Sequence, residues 1–266
     1  MHIFGILGNP VGHSLSPCMH QAAYSHLEMD AKYITIEPDP LDLEKTIKTA
    51  SQNGISGLNV TIPFKQDVLP YVQADKLAKR IGAVNTIDFS RKKPIGYNTD
   101  IGGARRSFEH HGVNLSGTNS IVIGSGGAGR ALSFMLSDAG SNVSIVNRTE
   151  YKAHELSKSV PSSTGHGFSE LTNLLSESDI LVNATSVGMK TDVSPVPIDS
   201  LRSDMVIMDA VYRPIETQLL KDAKEAGSTT IDGAWMLLYQ GAESFEIWTG
   251  KKAPVDVMNN AIRSNL

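Results

Sequence analysis

The sequence predicts an α/β protein of two domains, the second an open, doubly wound sheet. Short apolar runs alternate with longer helical patterns almost from end to end, the signature of βαβ units and parallel sheets. From Asn119 onward the runs become regular and β-branched. A glycine-rich turn, Gly124 to Gly129, stands directly between one such run and a helical pattern.

Taken in order, the strand candidates of the first part are His2–Leu7, Lys32–Ile36, Leu58–Ile62, Ala83–Asp88 and Ile95–Tyr97. Ser16-Pro17 reads as an N-cap and first-turn proline opening a helix that runs to the neighbourhood of Glu28, and Asp39 to Asn53 stops at Gly54 as a helix should. Asp100 to Gly103 leads into a helix from Ala104 to His111. The strands Ser120–Ile123, Val143–Val146, Ile180–Ala184, Val206–Ala210 and Thr229–Ile231 follow, separated by helical stretches. From Trp235 to the end the pattern is helical, with a break at Gly250 and Pro254. This order predicts one domain from residues 1–102 plus 234–266 and a second, 103–233, inserted within it, with ligands where strand ends converge.

Composition narrows the partners. The chain has 266 residues, 40% of them hydrophobic, with 20% charged and a net charge of −4. That is enough for a buried core, and it offers no broad electropositive field for nucleic acid or a membrane surface, so a small molecule is favoured. One cysteine, Cys18, excludes an internal disulfide framework and a multi-cysteine zinc site, and suits a reducing compartment. No apolar run reaches the roughly 18 residues of a membrane span, and Gly8 and Pro10 break the first run too early for a signal peptide. The location expected is therefore cytoplasmic. The histidines show no metal-binding spacing such as H-E-x-x-H, and no metal is expected. Self-association as a homodimer is left open.

The stretch Gly124-Ser125-Gly126-Gly127-Ala128-Gly129 is a G-x-G-x-x-G turn between strand and helix. Its first glycine suits a tight turn, the second lets a pyrophosphate approach backbone, and the third lets helix pack on sheet. The helix N-terminus then offers unpaired amides and partial positive charge to phosphates. The next strand ends in Asn147-Arg148-Thr149, with Lys152 one turn further. An NAD site usually has an acid there to bind the ribose 2′-hydroxyl; here a guanidinium stands where a 2′-phosphate would be. The cofactor expected is NADP.

In the first domain several polar residues lie at strand ends or just beyond: Ser14 and Ser16, Thr61 and Lys65, Asn85, and Asp100. Neighbouring strand ends share one sheet edge, so residues distant in sequence can line one site. Each also has a plainer account, such as Ser16 capping its helix or Lys65 and Asp100 forming a solvated surface pair. The pattern alone names no substrate.

These segments resemble the shikimate dehydrogenase family, over nearly the whole chain. The matching stretches are Gly8-Asn-Pro-Val-Gly-His-Ser14-Leu-Ser16-Pro, Asn59-Val-Thr61-Ile-Pro-Phe-Lys65, Gly82-Ala-Val-Asn85-Thr and Gly96-Tyr-Asn-Thr-Asp100, then Asn147-Arg148-Thr149, Asn183-Ala-Thr185-Ser-Val-Gly-Met, Asp209-Ala-Val211-Tyr212 and Gly233-Ala-Trp-Met-Leu-Leu-Tyr-Gln240-Gly-Ala. The resemblance implies an α/β substrate domain, a Rossmann-type NADP domain, and NADP-dependent, reversible reduction of 3-dehydroshikimate to shikimate. It also implies that Ser14 and Ser16 bind the substrate carboxylate, that Thr61, Asn85, Asp100, Tyr212 and Gln240 hold the ring hydroxyls or their surroundings, and that Lys65 is catalytic. Thr185, Val211 and Gly233 are implied beside the cofactor. Two departures are Ile101, where the family commonly has glycine, and Thr217-Gln218 in place of a frequent Thr-Pro.

The chemistry fits. An ammonium at Lys65 can stabilise charge developing on a carbonyl oxygen and donate its proton, while Asp100 orients the amine. A quinate or dual quinate/shikimate dehydrogenase is the nearest alternative. A non-enzymatic sensor of NADP(H) is a second, although a sensor would not need the polar set of the first domain.

Overall fold

The structure, a computed structural model, describes residues 1–266. The chain forms two compact units, one of residues 1–103 with 238–265 and the other of 104–237 with Leu266.

Unit 1 contains β1 (His2–Leu7), α1 (Ser16–His26), β2 (Ala31–Ile36), α2 (Leu43–Gln52), β3 (Ile55–Val60), β4 (Gln73–Ala74), α3 (Lys76–Ile81), β5 (Thr86–Asp88), β6 (Ile95–Tyr97) and the start of α4 (Asp100–His110). Its sheet has the order β2-β1-β3-β5-β6-β4. Strands β1, β2 and β3 are parallel, but β5 runs antiparallel to both β3 and β6. The expectation of parallel sheets throughout is therefore corrected in this half. Only Thr86–Asp88 of the expected strand Ala83–Asp88 is paired as a strand, and β3 starts and ends earlier than the expected Leu58–Ile62.

Local chemistry explains the helices. In α2, Leu43, Ile47 and Ala50 are buried at helical spacing, forming the stripe that seals it to the sheet. The short α3 is capped by Asp75, whose carboxylate accepts from Ala78 N at 2.7 Å, and ends on the left-handed Gly82. Helix α1 begins at Ser16, so Ser16 is not its cap: Leu15 holds that place without a side-chain bond, and the Ser14 hydroxyl accepts from the Ser16 N–H at 3.2 Å. Ser16 is left with its side chain inside the first turn.

Unit 2 continues α4 and adds β7 (Asn119–Ile123), α5 (Gly127–Asp138), β8 (Asn142–Val146), α6 (Glu150–Ser157), β9 (Ser163–His166), α7 (Leu171–Ser176), β10 (Ile180–Asn183), β11 (Val206–Asp209), α8 (Gln218–Glu225), β12 (Thr229–Ile231) and the start of α9 (Gly233–Thr249). The rest of α9 and α10 (Val255–Arg263) belong to unit 1. All six strands are parallel in the order β12-β11-β10-β7-β8-β9, a doubly wound sheet whose order reverses between β7 and β10. Strand β10 is buried along its whole length, as a strand covered on both faces must be. Strand β9, of sequence Ser-Thr-Gly-His, escapes sequence analysis because an edge strand needs no apolar run. Ile121, Ile123, Leu181 and Ile207 form the centre of the core with Leu219 and Leu220 of α8.

Candidate active site

Within unit 1 the edge at the C-terminal ends of β1 and β3 gathers most of the polar residues singled out above. The loop after β1 meets the one after β3 through Asn9 N to Ile62 O at 3.0 Å, and Thr61 N bonds Leu7 O at 2.8 Å. Lys65 lies in the turn after β3, where its carbonyl accepts from Val84 N. Asn85 comes just before β5. Because β5 is antiparallel, its N-terminal end lies on the same edge as the C-terminal ends of β3 and β6. Asp100 opens α4 directly after β6.

Lys65 Nζ is 2.7 Å from Asp100 Oδ2, with the two side chains 15% and 4% exposed. This is a sheltered pair, unlike the solvated surface pairs elsewhere on the chain. The other oxygen of Asp100 accepts from Asn85 Nδ2 at 3.0 Å, and Gln240 Oε1 is 3.3 Å from the same nitrogen. The orientation of the Asn85 amide follows from a backbone donor. Thr99 N–H can only donate, and it points at Asn85 Oδ1 at 2.7 Å, so the NH2 group must face Asp100. Asp100 thus meets donors on both oxygens.

Behind this cluster lies a supporting set that sequence analysis left without a role. Thr86, Thr99 and Ser244 are fully buried and their hydroxyls lie 2.8–3.2 Å apart. Asn59 Nδ2 donates to Ser244 Oγ at 2.9 Å, and Asn59 Oδ1 accepts from Tyr33 Oη at 2.8 Å. The visible signal was a buried-type amide, Asn59, inside an apolar strand. Beyond Asn59, His20 is fully buried and stacks on Tyr33 with centroids 4.5 Å apart. Burial lowers its pKa to about 3, so it is a neutral core residue.

Ser16 is buried and Ser14 half-buried on the loop and first turn that follow β1. Thr61 is half-buried at the end of β3. Tyr212 belongs to unit 2, immediately after β11, rather than to the unit that holds the other polar candidates. Ile101 is buried in the first turn of α4.

In unit 2 the glycine turn has the geometry that a dinucleotide needs. Gly124 has φ +111°, which strongly favours glycine, and a Cβ on Gly129 would lie 2.0 Å from Gly124 O. A Cβ on Gly126 would meet no protein atom within 4 Å, so this open face is where a phosphate can reach the backbone at the N-terminus of α5. Ser125, Gly127 and Ala128 are partly exposed around it. At the tip of β8, Asn147 bonds the Thr149 carbonyl at 2.9 Å, and Arg148 and Lys152 are exposed. Thr185 follows β10, and its hydroxyl donates to Asn183 Oδ1 at 2.7 Å. Val211 follows β11, and the start of α9 at Gly233 presses on the backbone of Ala210 and Val211, leaving no room for a Cβ. These residues suit a dinucleotide with a phosphorylated ribose.

Family models and relatives agree with this geometry. Residues 6–87 match the shikimate dehydrogenase substrate binding domain, 104–232 the shikimate/quinate 5-dehydrogenase model, and 233–263 the shikimate 5′-dehydrogenase C-terminal domain. A shikimate dehydrogenase (NADP(+)) of Haloarcula marismortui is 58% identical over 266 residues, covering all of both chains. A shikimate dehydrogenase solved in complex with NADP+ superposes with TM-score 0.92 at 41% identity, over 99% of this chain and 95% of that one. The Thermus thermophilus shikimate 5-dehydrogenase, solved with NADP(H) and shikimate, gives TM-score 0.92 at 34% identity, each chain covered in full. With its α/β units, its doubly wound nucleotide-binding sheet and these matches along nearly its whole length, the chain belongs to the shikimate dehydrogenase family.

Proposed function

We propose that this protein is an NADP-dependent oxidoreductase that reversibly reduces the ring ketone of 3-dehydroshikimate to the alcohol of shikimate. The observation that carries this reading is the sheltered Lys65–Asp100 pair on the polar edge of unit 1. NADPH, when bound at the glycine turn, supplies the hydride.

The protein residues manage the rest. As negative charge grows on the carbonyl oxygen, the Lys65 ammonium stabilises it and gives up one proton to form the hydroxyl. Asp100, held by Asn85 on one oxygen and Lys65 on the other, aims the ammonium and remains an acceptor for a ring hydroxyl. The hydroxyls of Ser14 and Ser16 bind the substrate carboxylate, and Thr61, Asn85, Tyr212 and Gln240 take the ring hydroxyls and their surroundings. A site that hydrogen-bonds each hydroxyl rejects a ligand lacking one, because its own buried groups would be left unpaired. Arg148 and Lys152 take the 2′-phosphate of the cofactor. Asn147, Thr149, Thr185, Val211 and Gly233 complete its surroundings around the loop from Gly124 to Gly129.

No helix is long and apolar enough to cross a membrane. We assign the enzyme to the cytoplasm, and a homodimer is the assembly that light scattering would check. The decisive assay follows NADPH consumption with 3-dehydroshikimate, and NADP+ reduction with shikimate against quinate. Turnover with 3-dehydroshikimate and preference for shikimate support the proposal. Preference for quinate reassigns the substrate, and binding of NADPH without turnover of any of them overturns the enzymatic reading.

A further inference from the structure

Asp209 ends β11 as a buried carboxylate that faces no cation. Its Oδ1 accepts from Asn183 Nδ2 at 3.0 Å and from Val211 N at 2.9 Å, and its Oδ2 accepts from Thr217 Oγ1 at 2.7 Å. All three donors are neutral. Asn183 in turn accepts from the Thr185 N–H and hydroxyl and donates to the Val187 carbonyl, so the two residues tie together the chain segments that leave β10 and β11. An amide in place of Asp209 could keep the contacts to Asn183 and Val211, but the buried Thr217 hydroxyl, which already accepts from the Leu220 N–H, would lose the acceptor for its own proton. The carboxylate thus serves three donors as an acceptor only, and it also places a negative charge at the end of β11. Burial raises its pKa to about 6 while the three donors favour the ionised form, which is the form tested at pH 8.

The strand order puts Asp209 on the side of the glycine turn away from Arg148. Arg148 follows β8, one strand to one side of the glycine turn after β7. Asn183 and Asp209 end β10 and β11, one and two strands to the other side. With the phosphorylated ribose at Arg148 and the pyrophosphate at the start of α5, the opposite end of the dinucleotide extends over β10 and β11. That end is the nicotinamide, which is neutral when reduced and carries a positive charge when oxidised.

We infer that Asp209 is an electrostatic positioning residue whose buried negative charge favours the oxidised, cationic nicotinamide over the reduced ring. This inference rests on the NADP reading above and adds a charge effect to it. The same field favours the charge that the ring gains as it gives up hydride to the ketone.

The test compares the dissociation constants of NADP+, NADPH and 2′-phospho-ADP-ribose for the whole protein and for Asp209→Asn, at pH 8. The variant should bind NADP+ about threefold or more weakly relative to NADPH, the scale of one unit charge acting across a medium of intermediate dielectric. Its affinity for 2′-phospho-ADP-ribose, which lacks the ring, should not change. Asp209→Glu keeps the charge and should keep the ratio of the two coenzyme forms, even where both affinities fall. Equal shifts for NADP+ and NADPH, or loss of 2′-phospho-ADP-ribose binding with them, would reduce Asp209 to a structural role and overturn the inference. Wild-type protein that binds none of the three would remove the NADP reading itself, which is a distinct result.

Discussion

Asn85 Nδ2 and Lys65 Nζ occupy opposite oxygens of Asp100, at 3.0 and 2.7 Å, so the carboxylate is gripped from two sides. On the proposed mechanism, in which the ammonium acts mainly on charge in the transition state, Lys65→Ala should lose about 10²–10⁴-fold in turnover while shikimate affinity falls modestly. Asp100→Asn should divide its loss more evenly between binding and turnover. The double variant should lose much less than the sum in free energy, as residues acting as a unit do. Near-normal turnover with poor binding in Lys65→Ala would make Lys65 an anchor for substrate instead.

Ser14 and Ser16 should differ when each is changed to alanine. Each hydroxyl bonding a charged carboxylate contributes roughly 1.5–3 kcal/mol, or about one to two powers of ten in substrate efficiency. Ser14 also accepts the Ser16 N–H at the start of α1, so Ser14→Ala should in addition lower the melting temperature. Unchanged kinetics in both variants would remove the carboxylate assignment.

Arg148→Ala should raise the Michaelis constant for NADP far more than for NAD, since Arg148 is exposed at the tip of β8 and no acid stands among Asn147–Thr149. Equal effects on the two coenzymes would show that Arg148 does not read the 2′-phosphate.

The glycine turn separates folding from binding. A methyl group on Gly129 would collide with Gly124 O, so Gly129→Ala should destabilise unit 2. A methyl on Gly126 meets no protein atom, so Gly126→Ala should melt like the parent yet bind NADP(H) weakly. Calorimetry of the apoprotein together with coenzyme titration reads both. Undiminished coenzyme affinity in Gly126→Ala would place the pyrophosphate elsewhere.

His20 sets a pH dependence. Its imidazole titrates at about 3 when buried and at 6.5 when exposed, so between these values the unfolded chain binds the extra proton. The stability it contributes is complete above pH 6.5 and falls away with acid, by about 1.4 kcal/mol per pH unit across that window. Denaturant titrations of His20→Phe should show a shallower acid limb than the parent's. Identical limbs would mean that His20 keeps an ordinary pKa in the folded protein.

Local patterns were legible in the sequence because they depend on near neighbours. The turn at Gly124, the acid-free tip at Asn147–Thr149, the helix stop at Gly54 and the alternation of strands and helices all declare themselves within a few residues. The family signatures extended that legibility to Lys65, Asp100 and Asn85. What pairs with what is set by contacts between residues far apart in the chain, and only the tertiary structure decided it. The antiparallel course of β5 carries Asn85 to the edge where Asp100 lies, and a backbone donor at Thr99 then orients its amide. Ser16, which reads locally as a helix cap, yields that duty because the chain enters α1 through Leu15 with Ser14 behind it. Burial, finally, pushes the pKa of Asp209 up to about 6 from that of an ordinary acid, since desolvation depends on the whole packed unit and leaves no mark on neighbouring residues in the sequence.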